Sequence, residues 1–334
     1  VGRILKRETQ IMDISLHYEN VFLKPNFNTV NTRGEIDTEV MFLGKTFALP
    51  VVPANMKCCV DADICKFLDA NNYFYIMHRF DTDIIKFVEE ANDNSWMGKF
   101  KNVSISVGIQ KKDADIITEL ARRQLTVDFI TIDVAHGHHS KVAYQIKHIK
   151  DCLPDTKVIA GNVATFEGVE YLHSAGAAAI KAGIGGGYAC TTKDKTGFTF
   201  PMFSCVVECA KDRDIPIIAD GGVRGNGDIA KALVAGATMV MCGSIFAACT
   251  DSPAPVVKDP SGRRFKQYYG SASVHNKMDK KNIEGTMKLM DTDSFTYEEK
   301  LLEITQDLQS AISYAGGCNL GALNLNKVLY GVRM

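Results

Sequence analysis

Short apolar runs rich in β-branched and aromatic residues recur along the chain, and between them the apolar positions switch to helical spacing. The runs at 51–53, 74–77, 103–107, 129–133, 158–161, 179–182, 216–220 and 239–242 predict strands. Helical periodicity over 62–70, 83–91, 113–122, 140–152, 167–175, 203–211 and 228–235 fills the intervals, and a longer amphipathic helix over 298–315 follows the last strand. Strict alternation of strand and helix predicts a parallel sheet covered by helices. Eight such units fit an α/β fold of the (β/α)8 TIM barrel type better than an open doubly wound sheet.

Two stretches break the rhythm. The sixth strand is followed by an unusually long loop, on the face where barrel enzymes keep their chemistry. A second insertion, 250–297, is rich in Lys, Asp, Ser and Gly and reads as a mobile flap. Residues 1–48 form an irregular N-terminal extension, with a hairpin expected at 35–47 that turns near Leu43-Gly44 and covers the bottom of the barrel. The expectation is one catalytic barrel domain over 1–334.

Composition narrows the function. The chain has 334 residues, 46% of them hydrophobic, and its 38 basic and 39 acidic side chains give a net charge of −1. That balance lacks the basic excess of a nucleic-acid binder. Nothing approaches the ~18 apolar residues of a membrane span, and the charged start, Val1 to Thr9, does not look like a secretory signal. A soluble cytoplasmic protein is expected, with no nucleic-acid or membrane partner. Its 10 cysteines sit mostly in apolar segments and are expected to be reduced. The histidines His136, His138 and His139 have no cysteine beside them and read as polar loop residues rather than metal ligands.

The candidate chemistry lies at the ends of the strands. After the sixth strand, Gly183, Gly185, Gly186 and Gly187 let the backbone approach a ligand closely, and Cys190 ends this turn. A lone cysteine is ordinarily a small hydrophobe, but at the active face and before Thr191 and Thr192 it is a candidate covalent nucleophile. Strands seven and eight end in Asp220-Gly221-Gly222 and Cys242-Gly243-Ser244. These motifs suit a phosphate cradle, or else tight turns that merely need glycine. Asp220 would repel phosphate but can accept from a ribose hydroxyl pair. Together they point to a nucleoside monophosphate. Asn55 and Met56 are placed to line the pocket, Asp133 bonds either a second ligand or nearby turn amides, and His78 with Arg79 adds positive charge at the same rim.

Five motifs, taken in order and spacing, carry a resemblance. Pro53-Ala54-Asn55-Met56, the loop from Ile184 to Thr192, Ala219-Asp220-Gly221-Gly222, Met241-Cys242-Gly243-Ser244 and the turn from Tyr268 to Ser273 resemble those of the IMP dehydrogenase and GMP reductase family. The resemblance runs over 18–317. It implies a (β/α)8 barrel, a homotetramer, and a loop cysteine that attacks C2 of a purine ring. Three features resemble the bacterial reductase branch, which turns GMP into IMP and ammonia with NADPH. No CBS pair follows strand two, the flap between Ser273 and Glu284 is short and lacks an Arg-Tyr pair, and 265–284 and 306–317 are similar to that branch.

Carried over residue by residue, the resemblance makes Cys190 the residue that forms the thioimidate, with Thr192 and Glu284 moving protons. Asn55, Met56, Asp220, Gly221, Gly222, Gly243, Ser244, Gly270, Ser271 and Ala272 would bind GMP. Thr32, Arg33, Arg79, Asp133, Val134, Ala135, Ile184 and Gly185 would contact NADPH, and the carbonyls of Gly185, Gly187 and Cys190 would hold K+. Tyr188 departs from the family's usual serine or lysine, and Thr286 from its usual basic residue. The alternatives are a dehydrogenase without CBS domains, which oxidises IMP with NAD, and a non-catalytic purine-nucleotide-binding barrel. An aldolase-type barrel is disfavoured because the one candidate lysine, Lys181, does not end its strand.

Overall fold

In the computed structural model, residues 15–93, 100–274, 276, 281, 283–292, 294–328 and 330–332 are described. The charged start and most of the segment between Ser273 and Glu284 lie outside the described residues.

The chain begins with β1 (Val21–Leu23) and the hairpin β2 (Val40–Phe42) and β3 (Lys45–Phe47). The barrel units follow as β4 (Val51–Pro53), α1 (Ala62–Ala70), α2 (Ile84–Asn92), β5 (Ser104–Val107), α3 (Lys111–Arg122), β6 (Phe129–Asp133), α4 (Ser140–Cys152), β7 (Lys157–Val163), α5 (Phe166–Ser174) and β8 (Ala179–Ala182). Next come the short α6 (Thr192–Thr196), α7 (Met202–Cys209), β9 (Ile217–Asp220), α8 (Asn226–Ala235), β10 (Met239–Cys242) and α9 (Ser244–Ala247). The flap sheet β11 (Val256–Lys258), β12 (Arg264–Tyr269) and β13 (Met287–Asp291), then α10 (Tyr297–Tyr314) and β14 (Tyr330–Val332), complete the order.

Local chemistry fixes where the helices start. Asp61, Asp83 and Thr165 accept the backbone N–H of Ile64, Lys86 and Gly168, and Thr296 with Glu299 forms a capping box at α10. The expected hairpin is present, and Leu43 and Gly44 turn it with φ of 50° and 85°.

Seven strands pair in parallel in the order β4-β10-β9-β8-β7-β6-β5. The eighth segment, 74–77, lies beside β5 but forms only one bridge, Met77 to Ile105, so the strand expected there makes a one-residue ladder. Phe74, Tyr75, Ile76 and Met77 are buried nonetheless. The fold is therefore the expected (β/α)8 barrel: the fully buried Val52, Ile159, Ile218 and Met239 share the inward strand face of Lys181, while Ile105, Ile130, Ile180 and Val240 are buried on the opposite face, toward the helices. The β2–β3 hairpin plugs the bottom. Phe42 and Phe47 pack on Phe74, Phe47 also meets Phe129, and Lys45 bonds Asn102 and Asp128 at the strand starts.

The insertion read as a mobile flap holds a three-stranded antiparallel sheet in its described part. The alternation in Arg264-Phe265-Lys266-Gln267-Tyr268-Tyr269, with Lys266, Tyr268 and Tyr269 buried, is the strand signal that the polar composition around it obscured. No helix among the described residues is long and apolar enough to cross a membrane. None of the cysteines is joined in a disulfide.

Candidate active site

The strands end on one face, and four loops there build the site. Cys190 lies in the loop after β8 and is joined to the flap by an antiparallel bridge to Gly285. Further backbone bonds run from Thr191 N to Glu284 O (2.9 Å) and from Thr286 N to Ala189 O (2.9 Å). This zipper brings two residues far apart in sequence into one relay. The Cys190 thiol donates to Thr192 Oγ1 at 3.2 Å, and the Thr192 hydroxyl donates to Glu284 Oε2 at 2.7 Å. A nucleophile, a hydroxyl and a carboxylate within hydrogen-bond reach can move a proton from sulfur to oxygen and back. Gly270, Ser271 and Ala272 form the turn that holds Glu284, whose N–H donates to Ala272 O at 3.1 Å.

The glycines of the loop have a steric reason. A Cβ on Gly183 would stand 2.1 Å from Asp220 O, and Gly222 N donates to Gly186 O at 2.9 Å, so the loops after β8 and β9 touch backbone to backbone.

Beside the relay, one cavity is lined by Met56, Asp220, Gly221, Gly222, Gly243 and Ser244, all sequence candidates for the nucleotide. Tyr188, Arg224 and Tyr268 also line it and were not among them. Tyr268 sits inside a quoted motif, and its hydroxyl lies where a Cβ on Gly243 would be, 2.4 Å away.

A charge network backs the cavity wall at Asp220. Lys181, fully buried, places Nζ 2.5 Å from Asp133 Oδ1 and 3.1 Å from Asp220 Oδ2. Asn55 Nδ2 donates to Asp133 at 3.1 Å, and Asn162 Nδ2 to Asp220 at 2.8 Å. Asn55 thus belongs to this network. Burial pushes Asp133 up, but the Lys181 ammonium, with Arg79 and the Asn55 hydrogen bond, together hold the carboxyl below its usual range. Burial likewise disfavours charge on Lys181, and its two carboxylates raise it well above an ordinary lysine. Although Lys181 does not end β8, its side chain reaches the mouth. A lysine inside the apolar run Ala179-Ile180-Lys181-Ala182 was the available signal, since a buried charge must be paired.

The cofactor candidates divide. Arg79 Nη2 donates to Asp133 O at 3.3 Å, with Val134 and Ala135 next in chain and Ile184 and Gly185 opening the neighbouring loop. Thr32 and Arg33 are not brought there. Arg33 bonds Ser310 Oγ and stacks on Tyr314 near the end of α10. That helix starts at the mouth, where the Tyr297 hydroxyl bonds Cys59 O, so Arg33, held between Ser310 and Tyr314, lies about 20–25 Å from it. His78 adds no positive charge at neutral pH. Burial, and then repulsion by Lys57, pushes it down to about 4, and its ring accepts from Phe80 N.

A barrel with a thiol, a hydroxyl and a carboxylate in hydrogen-bond contact beside a glycine-lined cavity fits a class: barrel enzymes that act on a small molecule held at the strand ends. Residues 15–332 match the IMP dehydrogenase / GMP reductase domain, and the chain belongs to that family. It is 46% identical to a GMP reductase of Oceanobacillus iheyensis over 93% of this chain and 94% of that protein. It is 46% identical to a GMP reductase of Bacillus subtilis over the same shares, and 48% identical to one of Helicobacter pylori over 92% and 93%.

Proposed function

We propose that this protein catalyses the NADPH-dependent reductive deamination of GMP to IMP and ammonia through a covalent adduct on Cys190. The observation that carries this reading is the Cys190–Thr192–Glu284 relay. Sulfur attacks C2 of the guanine while the thiol proton passes through Thr192 to Glu284. Glu284 then returns that proton to the amino group, the C2–N bond breaks and ammonia leaves, so the purine is joined to sulfur with no net change in protons. The ribose is held by Asp220 and the phosphate by the amides of Gly221, Gly222, Gly243 and Ser244.

Arg79, Asp133, Val134, Ala135, Ile184 and Gly185 would hold NADPH at the mouth. The buried Nε of Arg79 has no partner among the described residues and is a donor suited to a dinucleotide. When bound, NADPH supplies the hydride that takes C2 to the oxidation level of IMP. Arg33, which rests on α10, and its neighbour Thr32 would join that site only from another copy of the chain, as a homotetramer would allow, and the proposed location is the cytoplasm. The carbonyls of Gly185, Gly187 and Cys190 are candidate K+ ligands. Gly187 O also accepts Cys190 N at 3.1 Å.

Thr192→Val and Glu284→Gln are expected to lower kcat about 10²- to 10⁴-fold with the KM for GMP little changed. Mass spectrometry of protein quenched during turnover checks the step directly. A Cys190 peptide heavier by GMP less ammonia is expected, depleted in Glu284→Gln. Turnover with no such adduct would overturn the covalent route.

A further inference from the structure

Arg224 is the one cationic side chain lining the nucleotide cavity among the described residues. Its guanidinium carbon lies 5.0 Å from the centroid of the Tyr188 ring, and Lys288 Nζ lies 4.3 Å from the same centroid. Tyr188 in turn meets the Tyr268 ring at 5.9 Å, and Tyr268 pairs with Lys288 across the flap sheet. One aromatic ring therefore gathers the loop after β8, the turn after β9 and the flap.

This cluster is electrically one-sided. Among the described residues neither Arg224 nor Lys288 forms an ion pair; the Arg224 guanidinium donates only to the carbonyls of Val223 and Gly186, at 3.3 and 3.4 Å, while its backbone N–H donates to Asp228 Oδ2 at 3.0 Å. Asp220 in the same lining is already matched by Lys181 and Asn162. Two cations held on one ring repel each other, and the ring quadrupole offsets only part of that repulsion. Their complement is a dianion in the cavity that Arg224 and Tyr188 line. A guanidinium suits it best, because its fork can donate two parallel bonds to phosphate oxygens.

We propose that Arg224 is a phosphate-binding residue which makes the cavity select a phosphate monoester over an uncharged nucleoside, with Tyr188 as its positioning residue and Lys288 as a second cation. The inference rests on the nucleotide reading above and adds the residues that discriminate the charged ligand.

Calorimetry on the full chain, with GMP, guanosine and ribose 5-phosphate as separate probes, tests it. Arg224→Gln is expected to weaken GMP and ribose 5-phosphate by about 10- to 100-fold and to leave guanosine within about twofold. Arg224→Lys should recover part of the loss. Tyr188→Leu should weaken GMP severalfold, whereas Tyr188→Phe, which keeps the ring, stays near the parent. In turnover, Arg224→Gln should raise the KM for GMP with kcat nearly unchanged. Equal losses for GMP and guanosine, or no loss for GMP in Arg224→Gln, would overturn the proposal. If the parent binds ribose 5-phosphate through Arg224 but shows no preference for GMP, the purine reading fails and this one stands. A parent that binds no phosphate ester refutes this one.

Discussion

Cys190→Ala is expected to lower turnover of GMP by on the order of 10⁴-fold or more while leaving GMP affinity within about threefold. The loop does not need the sulfur to keep its shape. Its amide bonds Gly187 O, and the bridge to Gly285 is made by backbone, so alanine removes the bond-forming atom and little else. No cysteine is among the residues that line the cavity. Burial pushes the thiols of Cys59, Cys65 and Cys242 well up, away from the thiolate form, and all three are fully buried. Steady-state rates alongside GMP calorimetry check this. Residual activity within tenfold of the parent would mean that Cys190 only packs against the purine.

The second large effect concerns stability. Lys181→Met strips the shared cation from Asp133 and Asp220, and losing one partner of a buried ion pair costs about 3–5 kcal/mol. The sign of its pH dependence is the sharper test. In the parent, Asp133 is held below its unfolded value, so its stabilisation is full above about pH 4 and is lost as pH falls through the folded value. Without Lys181, burial governs. The folded value then rises above the unfolded one, and stability is lost as pH climbs from about 4 through that raised value. Arg79 and Asn55 still face Asp133 and moderate the rise, while Asn162 faces Asp220. His78 also titrates nearby, but it is common to both proteins and cancels in the difference. The Tm gap between parent and variant should therefore widen from pH 5 to pH 8. A constant gap would mean that Lys181 fills space rather than balancing charge.

Much of this architecture was legible along the chain because periodicity is a local property. The helices Ala62–Ala70 and Ser140–Cys152 and the strands Phe129–Asp133 and Met239–Cys242 begin and end where the apolar pattern changes. The pattern failed where partners are remote. Segment 74–77 has a strand's composition but a one-residue ladder, and the flap strands hid among polar residues whose pairing is set by β12 and β13 crossing the insertion. The glycine motifs and Cys190 could be picked out because they are unusual in composition. Lys181, Asn162, Arg224 and Tyr188 could not be assigned roles, since each acts through a neighbour supplied by another loop.

The most direct test of the account is to mix the purified protein with GMP and NADPH and follow the loss of reduced-nicotinamide absorbance and the release of ammonia, with IMP and NAD run in parallel. GMP-dependent oxidation of NADPH, with one ammonia per NADPH consumed, is the predicted result. Formation of NADH from IMP, or no reaction in either direction, would contradict it.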